Sequence, residues 1–270
     1  MVFRTAKAVI GMIHVPALPG APRCSMDINE ISRFVLTDSA ALAEGGVDGL
    51  MIENFGDVPF YATRVPAHTI AFLSRLAFEV KTRVSLPLGI NVLRNDGMAA
   101  VAIAKAVTAE FVRVNVYTGA RLADQGILQG EAHEIARYRR TLGATVQIWA
   151  DVAVKHSAAL GDRSLGDEVE DTVERGVADA VIVSGSSTGK PTVLEDVRTV
   201  KSHAGSAAVY VGSGVDELTV EGLLEVADGA IVGTAFKRGA KVSAPVDVAR
   251  VRALVSIVRR KFTGERPASR

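Results

Sequence analysis

Polar residues stand, one after another, where the apolar runs of this chain stop. His14 closes Ala8-Val9-Ile10-Gly11-Met12-Ile13, and Glu53 closes Gly49-Leu50-Met51-Ile52. Asn91 follows Leu88-Gly89-Ile90, Asn115 follows Phe111-Val112-Arg113-Val114, and Asp151 follows Val146-Gln147-Ile148-Trp149-Ala150. Later runs end at Ser184, Ser213 and Thr234. Imidazoles and carboxylates carry protons, while carboxamides and hydroxyls orient a substrate. A buried strand ends in such groups when that end faces solvent or a ligand.

The segment Asp151-Val152-Ala153-Val154-Lys155-His156 adds an ammonium and a second imidazole four and five residues past the carboxylate. It can supply acid, base and electrostatic roles; the plainer alternative makes Lys155 and His156 solvated loop residues. His14, Glu53, Asp151 and His156 are also types that bind a divalent metal. They lack fixed ligand spacing, so no cofactor is firmly implied.

Side chains alternate across a strand, so Asp151 shares a face with Trp149, His14 with Met12, and Asn115 with Arg113. An inward Arg113 needs an anion, and strand order offers Glu53 or Asp151. It is either half of a structural ion pair with Glu53 or part of a charged floor beneath a substrate.

Two glycine-rich strand ends form a second signal. Val211-Gly212-Ser213-Gly214 and Val232-Gly233-Thr234-Ala235-Phe236-Lys237 close the seventh and eighth expected strands. Barrels that bind phosphate use the loops after those two strands, and glycine lets an oxyanion approach the backbone. Ser184-Gly185-Ser186-Ser187-Thr188-Gly189-Lys190-Pro191 has the look of a P-loop but not its spacing. Only three residues separate Gly185 from Gly189, and Pro191 stands where the magnesium-binding hydroxyl belongs. A loop that closes over a ligand or donates to the same phosphate is the expectation there.

These residues must be positioned by alternating strands and helices. Strands are predicted near 8–14, 48–53, 86–91, 111–116, 145–151, 179–183, 208–212 and 229–233. Helices are predicted near 28–44, 67–82, 96–108, 131–142, 166–175, 193–202, 216–227 and 246–261. Asp27, Asn95-Asp96 and Asp216-Glu217 supply capping chemistry. The turns from helix to strand are tight. The opposite side carries long loops at 15–27, 54–66, 117–130 and 152–165. The pattern predicts one (β/α)₈ TIM-barrel domain with its site at the C-terminal strand ends.

At 270 residues the chain suits one such barrel, and 48% hydrophobic with 5% aromatic residues suits aliphatic packing. A net charge of +1 argues against nucleic acid or an anionic membrane as a bulk partner. The single Cys24 excludes an intrachain disulfide and points to a cytoplasmic setting. Neither a signal peptide nor a membrane-spanning segment is expected.

Longer stretches carry a family resemblance. Gly11-Met12-Ile13-His14-Val15-Pro16-Ala17-Leu18-Pro19-Gly20, Glu53-Asn54-Phe55-Gly56-Asp57-Val58-Pro59-Phe60 and Gly89-Ile90-Asn91-Val92-Leu93-Arg94-Asn95-Asp96 resemble the BtpA/SgcQ family. So do residues 113–119, 150–156, 212–215 and 229–237, and the likeness runs from about residue 8 to 255. It implies a ribulose-phosphate-binding barrel. The family name also implies an alternative role, as a non-catalytic peripheral factor in biogenesis of a membrane complex of the photosystem I type. A more distant resemblance, to phosphoribosylanthranilate isomerase, carries over Asp151 only. His14 stands where that enzyme has its first-strand cysteine, and Cys24 lies ten residues on.

Residues and resemblance together predict an enzyme acting on a small phosphorylated sugar or nucleoside derivative, of isomerase or lyase/aldolase type. Asp151 is the expected general acid/base, with His14 or Glu53 as counterpart and Lys155 and His156 alongside. Asn91, Arg113, Asn115 and Ser184 would orient the substrate. Gly212, Ser213, Gly214, Gly233 and Thr234 would hold its phosphate. A homo-oligomer is left open.

Overall fold

Short runs of branched aliphatic residues form the strands, and the computed structural model closes eight of them into a parallel barrel. It describes residues 2–3, 5–154, 156–185 and 192–262. The barrel strands are β1 (Ala8–His14), β2 (Gly49–Glu53), β3 (Leu88–Asn91), β4 (Phe111–Val114), β7 (Gln147–Val152), β9 (Ala180–Val183), β10 (Ala208–Val211) and β11 (Gly229–Val232). They neighbour one another in that order, and β11 pairs with β1 to close the ring. The remaining strands, β5 (Ala120–Ala123), β6 (Gly126–Gln129) and β8 (Ser157–Ala159), make a separate antiparallel sheet with β5 in the centre. Helices α1 (Ile28–Glu44), α2 (Ala67–Arg83), α3 (Gly97–Val107), α4 (Ala132–Thr141), α5 (Leu165–Glu170), α6 (Leu194–His203), α7 (Val220–Val226) and α8 (Val248–Phe262) complete the units.

Capping fixes two of the helix starts that the sequence predicts. Asp27 accepts the N–H groups of Asn29 and Glu30, while Glu30 accepts that of Asp27, a reciprocal capping box. Asp96 accepts from Ala99 at the head of α3. The third differs. Oδ1 of Asp216 takes the N–H groups of Leu218 and Thr219 as a cap does, but it closes a turn ahead of α7, which begins at Val220 after Thr219, whose side chain makes no capping bond to the helix.

Strand alternation divides the core in two. Outward residues such as Val9, Ile52, Val112, Ile148, Val181 and Val209 pack against the helices. Inward residues Ile10, Met12, Met51, Phe111, Trp149, Ile182, Tyr210 and Ile231 fill the barrel. Trp149 lies stacked between Phe111 and Tyr210, with ring centroids at 4.0 and 4.1 Å, and Phe3 meets all three edge-on. Gly89 makes room for this plug, since a Cβ there would sit 2.1 Å from Cε2 of Phe111. The plug blocks the N-terminal half, so the opposite end is the open one.

The small sheet occupies stretches predicted as plain loops. Its strands have only three or four residues, too few for a clear alternating pattern. Leu128 anchors it on Val116 and Val154, and Arg121 reaches across to Ser157 Oγ at 2.7 Å and toward Glu168. It stands beside the mouth of the barrel, where the β5–β6 hairpin tip brings Asp124 to a cavity that Glu53 of β2 and Arg113 of β4 also line.

Candidate active site

Arg113 and Asp151 occupy neighbouring strands, β4 and β7, directly above Phe111 and Trp149. Arg113 Nε donates to Asp151 Oδ1 and Nη2 to Oδ2, both at 2.8 Å, with both side chains almost wholly buried. Asn115 Nδ2 adds a third bond to Oδ2 at 2.9 Å. Burial opposes a charged guanidinium, but Asp151, and Glu53 beyond it, outweigh that and hold Arg113 above its ordinary pKa. The partner of Arg113 is thus Asp151, not Glu53, which corrects the structural-pair alternative. Asp151, the expected general acid/base, accepts three hydrogen bonds from Arg113 and Asn115 and lines neither of the cavities described next.

Asn91 and Ser184 also reach the site through Arg113. Asn91 Nδ2 donates to the Arg113 carbonyl at 2.9 Å and to Asn115 Oδ1 at 3.2 Å. Its own Oδ1 is buried with no hydrogen-bond partner among the described residues. Ser184 Oγ lies 3.5 Å from Arg113 Nη2.

Two cavities open at the mouth. The first, of about 200 Å³, is lined by His14, Glu53 and Arg113 on one side and Gly212, Ser213, Gly214, Gly233, Thr234 and Ala235 on the other. His14 Nε2 is 3.6 Å from Glu53 Oε1, and the imidazole meets Phe55 edge-on. Gly233 permits this arrangement, since a Cβ there would stand 2.6 Å from His14 Cε1. Ser213 Oγ accepts the Gly185 N–H at 2.7 Å, leaving its own hydrogen to donate. The N–H groups of Thr234 and Ala235 open a short turn and have no acceptor within it.

Arg250 is the cationic residue of this cavity that the sequence reading missed, and Asp216, read there only as a helix cap, lines it too. Arg250 comes from the first turn of α8, donates through Nε to the Ala235 carbonyl at 2.6 Å, and helps line the cavity. Nothing in its spacing sets it apart from the other basic residues of that helix. Lys237 supports the same turn from behind. It is fully buried in an ion pair with Asp38 of α1, which also accepts the Val246 N–H at 2.7 Å.

The second cavity, of about 460 Å³, shares Glu53 and Arg113 with the first. Phe55, Val58, Phe60 and Leu93 form its apolar wall; Arg94, Asn115, Asp124 and His156 form the rest. Asn54 fixes the wall by accepting from the Leu93 N–H at 2.7 Å, and Asn95 bonds both ways with the Val116 backbone. Burial, reinforced by the Arg113 charge, holds the Arg94 guanidinium below its ordinary pKa, only partly offset by Asp151, Asp124 and Glu53. His156 and Ala153 adopt left-handed backbone, with φ of 57° and 50°, strain of a kind that clusters at functional sites. Lys155 and Ser186 to Pro191 lie outside the described residues.

The four suggested metal ligands do not assemble. His14 meets Glu53, but Asp151 is taken up by Arg113, and His156 lines only the second cavity. Among the described residues, no group of three or more His, Cys, Asp or Glu side chains is placed to hold an ion. None of the described helices is long and apolar enough to cross a membrane.

The model of the BtpA family matches residues 5–260. The chain belongs to the BtpA family. This BtpA-family chain is 42% identical over 253 residues to the photosystem I biogenesis protein BtpA of Synechocystis, covering 94% of the chain and 88% of that protein. It is 33% identical to the putative sgc region protein SgcQ of Escherichia coli, covering 93% of each. Among solved structures, the N-(5'-phosphoribosyl)anthranilate isomerase of Pyrococcus furiosus superposes with a TM-score of 0.57 at 12% identity, covering 94% and 99% of the two chains. That likeness is one of fold. It agrees with the eight-stranded barrel read from the BtpA-family sequence.

Proposed function

We propose that this protein is an enzyme of isomerase or lyase type acting on a small phosphorylated sugar or nucleoside derivative. The observation that carries the reading is the first cavity. It joins two glycine turns and Arg250, groups suited to a phosphate, to the ionisable pair His14 and Glu53. Glu53 removes a proton from the substrate and His14, within reach of it, carries a proton to or from the neighbouring oxygen. In an isomerisation the proton returns to an adjacent atom, so the step needs no oxidant. Arg113 stabilises negative charge that develops above it, and Asp151 and Asn115 keep it in place. Asp151 becomes a positioning residue, with the proton chemistry assigned to Glu53.

Calorimetric titration with inorganic phosphate tests the anion site. Arg250→Ala should weaken binding about tenfold or more, the value of one charge-assisted hydrogen bond. Equal binding by the parent and the variant would refute the assignment.

The name of the cyanobacterial relative supports a second reading, a non-catalytic assembly factor. It predicts protection of outer surfaces by a protein partner. The enzyme reading predicts that phosphorylated ligands slow hydrogen exchange in the loops 15–27 and 54–66 and around the small sheet.

A further inference from the structure

The second cavity has a composition that a bare sugar phosphate would not use. Four apolar side chains, Phe55, Val58, Phe60 and Leu93, form one wall. Besides Glu53 and Arg113, which it shares with the first cavity, and the Asn115 carboxamide, the polar groups lining it are a donor-only guanidinium (Arg94), an acceptor-only carboxylate (Asp124), and an imidazole that does either (His156). Sugar hydroxyls against that wall would leave it in contact with polar groups to no benefit. A simple aromatic acid would suit Arg94 but place its carboxylate toward Asp124. A planar heterocycle with donors and acceptors around its edge satisfies both, with its faces on the phenylalanines and its edge on the polar trio.

We propose that this cavity is a nucleobase subsite, so that the ligand is a nucleoside 5'-monophosphate or a close N-glycoside analogue. The proposal rests on the phosphate reading of the first cavity. Because both cavities share Glu53 and Arg113, phosphate and base lie at opposite ends of one ligand, and its sugar crosses the ionisable pair. The β5–β6 hairpin then has a purpose: it carries Asp124 to the base edge. The loop before β8 does the same for His156.

The test is calorimetric titration of the full-length protein with ribose 5-phosphate, the four common nucleoside 5'-monophosphates and their parent nucleosides. At least one monophosphate should bind about tenfold tighter than ribose 5-phosphate, the return expected from one stacked base. Phe60→Ala should abolish that advantage and leave ribose 5-phosphate binding within about twofold of the parent. Asp124 is exposed at a hairpin tip, so Asp124→Asn should fold normally and change the order of preference among the four bases. Arg250→Ala should weaken ribose 5-phosphate and monophosphates alike. If ribose 5-phosphate binds in an Arg250-dependent way and no monophosphate exceeds it, the base subsite is refuted and the phosphate site stands. If base preference is unchanged in Asp124→Asn and Phe60→Ala, the subsite is likewise refuted. Absence of binding by every phosphate compound overturns both readings.

Discussion

Arg113 and Asp151 meet through two parallel hydrogen bonds of 2.8 Å inside the barrel, on a layer between the aromatic plug and the open mouth. The guanidinium fork matches the carboxylate in geometry, and Asn115 takes up one of the remaining lone pairs. Such a pair adds little net stability over an apolar replacement, but removing one partner strands a buried charge. Its value here is position: it fixes a cation beneath both cavities.

The first prediction follows from that asymmetry. Asp151→Asn is nearly isosteric, yet it leaves the Arg113 charge without its counterion. It should destabilise the fold by about 3–5 kcal/mol in urea denaturation. A loss below about 1 kcal/mol would mean that Arg113 has another anion at hand.

Glu53 offers the complementary case. It lines both cavities and stands 3.6 Å from His14 Nε2. Glu53→Gln should keep the fold and phosphate affinity while lowering kcat about 10²- to 10⁴-fold, the usual worth of a positioned acid/base. Once a substrate is in hand, turnover within about threefold of the parent would remove Glu53 from the proton transfer.

The polar ring and the eight strands were legible because alternation and strand ends are local signals. His14, Glu53, Asn115 and the glycines of both turns fall where the pattern put them, around the mouth. What strand order could not give was reach. Both Glu53 and Asp151 lie on strands near Arg113, and only side-chain geometry selects Asp151. Arg250 was invisible for a related reason, since it joins the cavity from a helix and not from a strand end. Asp124 was hidden at the tip of a hairpin whose strands are too short to show a period. Asp216 makes the capping bonds that its type suggested, to the N–H groups of Leu218 and Thr219, but α7 itself starts only at Val220, one turn later than the pattern put it.

The aromatic plug gives a prediction about stability alone. Gly89→Ala would drive a methyl group to 2.1 Å from a Phe111 ring already stacked on Trp149. The ring cannot yield without disturbing the stack, so the variant should lose about 1–3 kcal/mol or more. Unchanged midpoints in thermal and urea unfolding would show that the plug is looser than its geometry implies.

The central claim is that the mouth of the barrel holds a phosphate between its two last strand ends. A crystal structure grown with inorganic phosphate tests it most directly. The account predicts an anion within hydrogen-bond distance of Arg250, Ser213 and the N–H groups of Thr234 and Ala235. An empty cavity at saturating phosphate, or an anion bound only elsewhere on the surface, would contradict it.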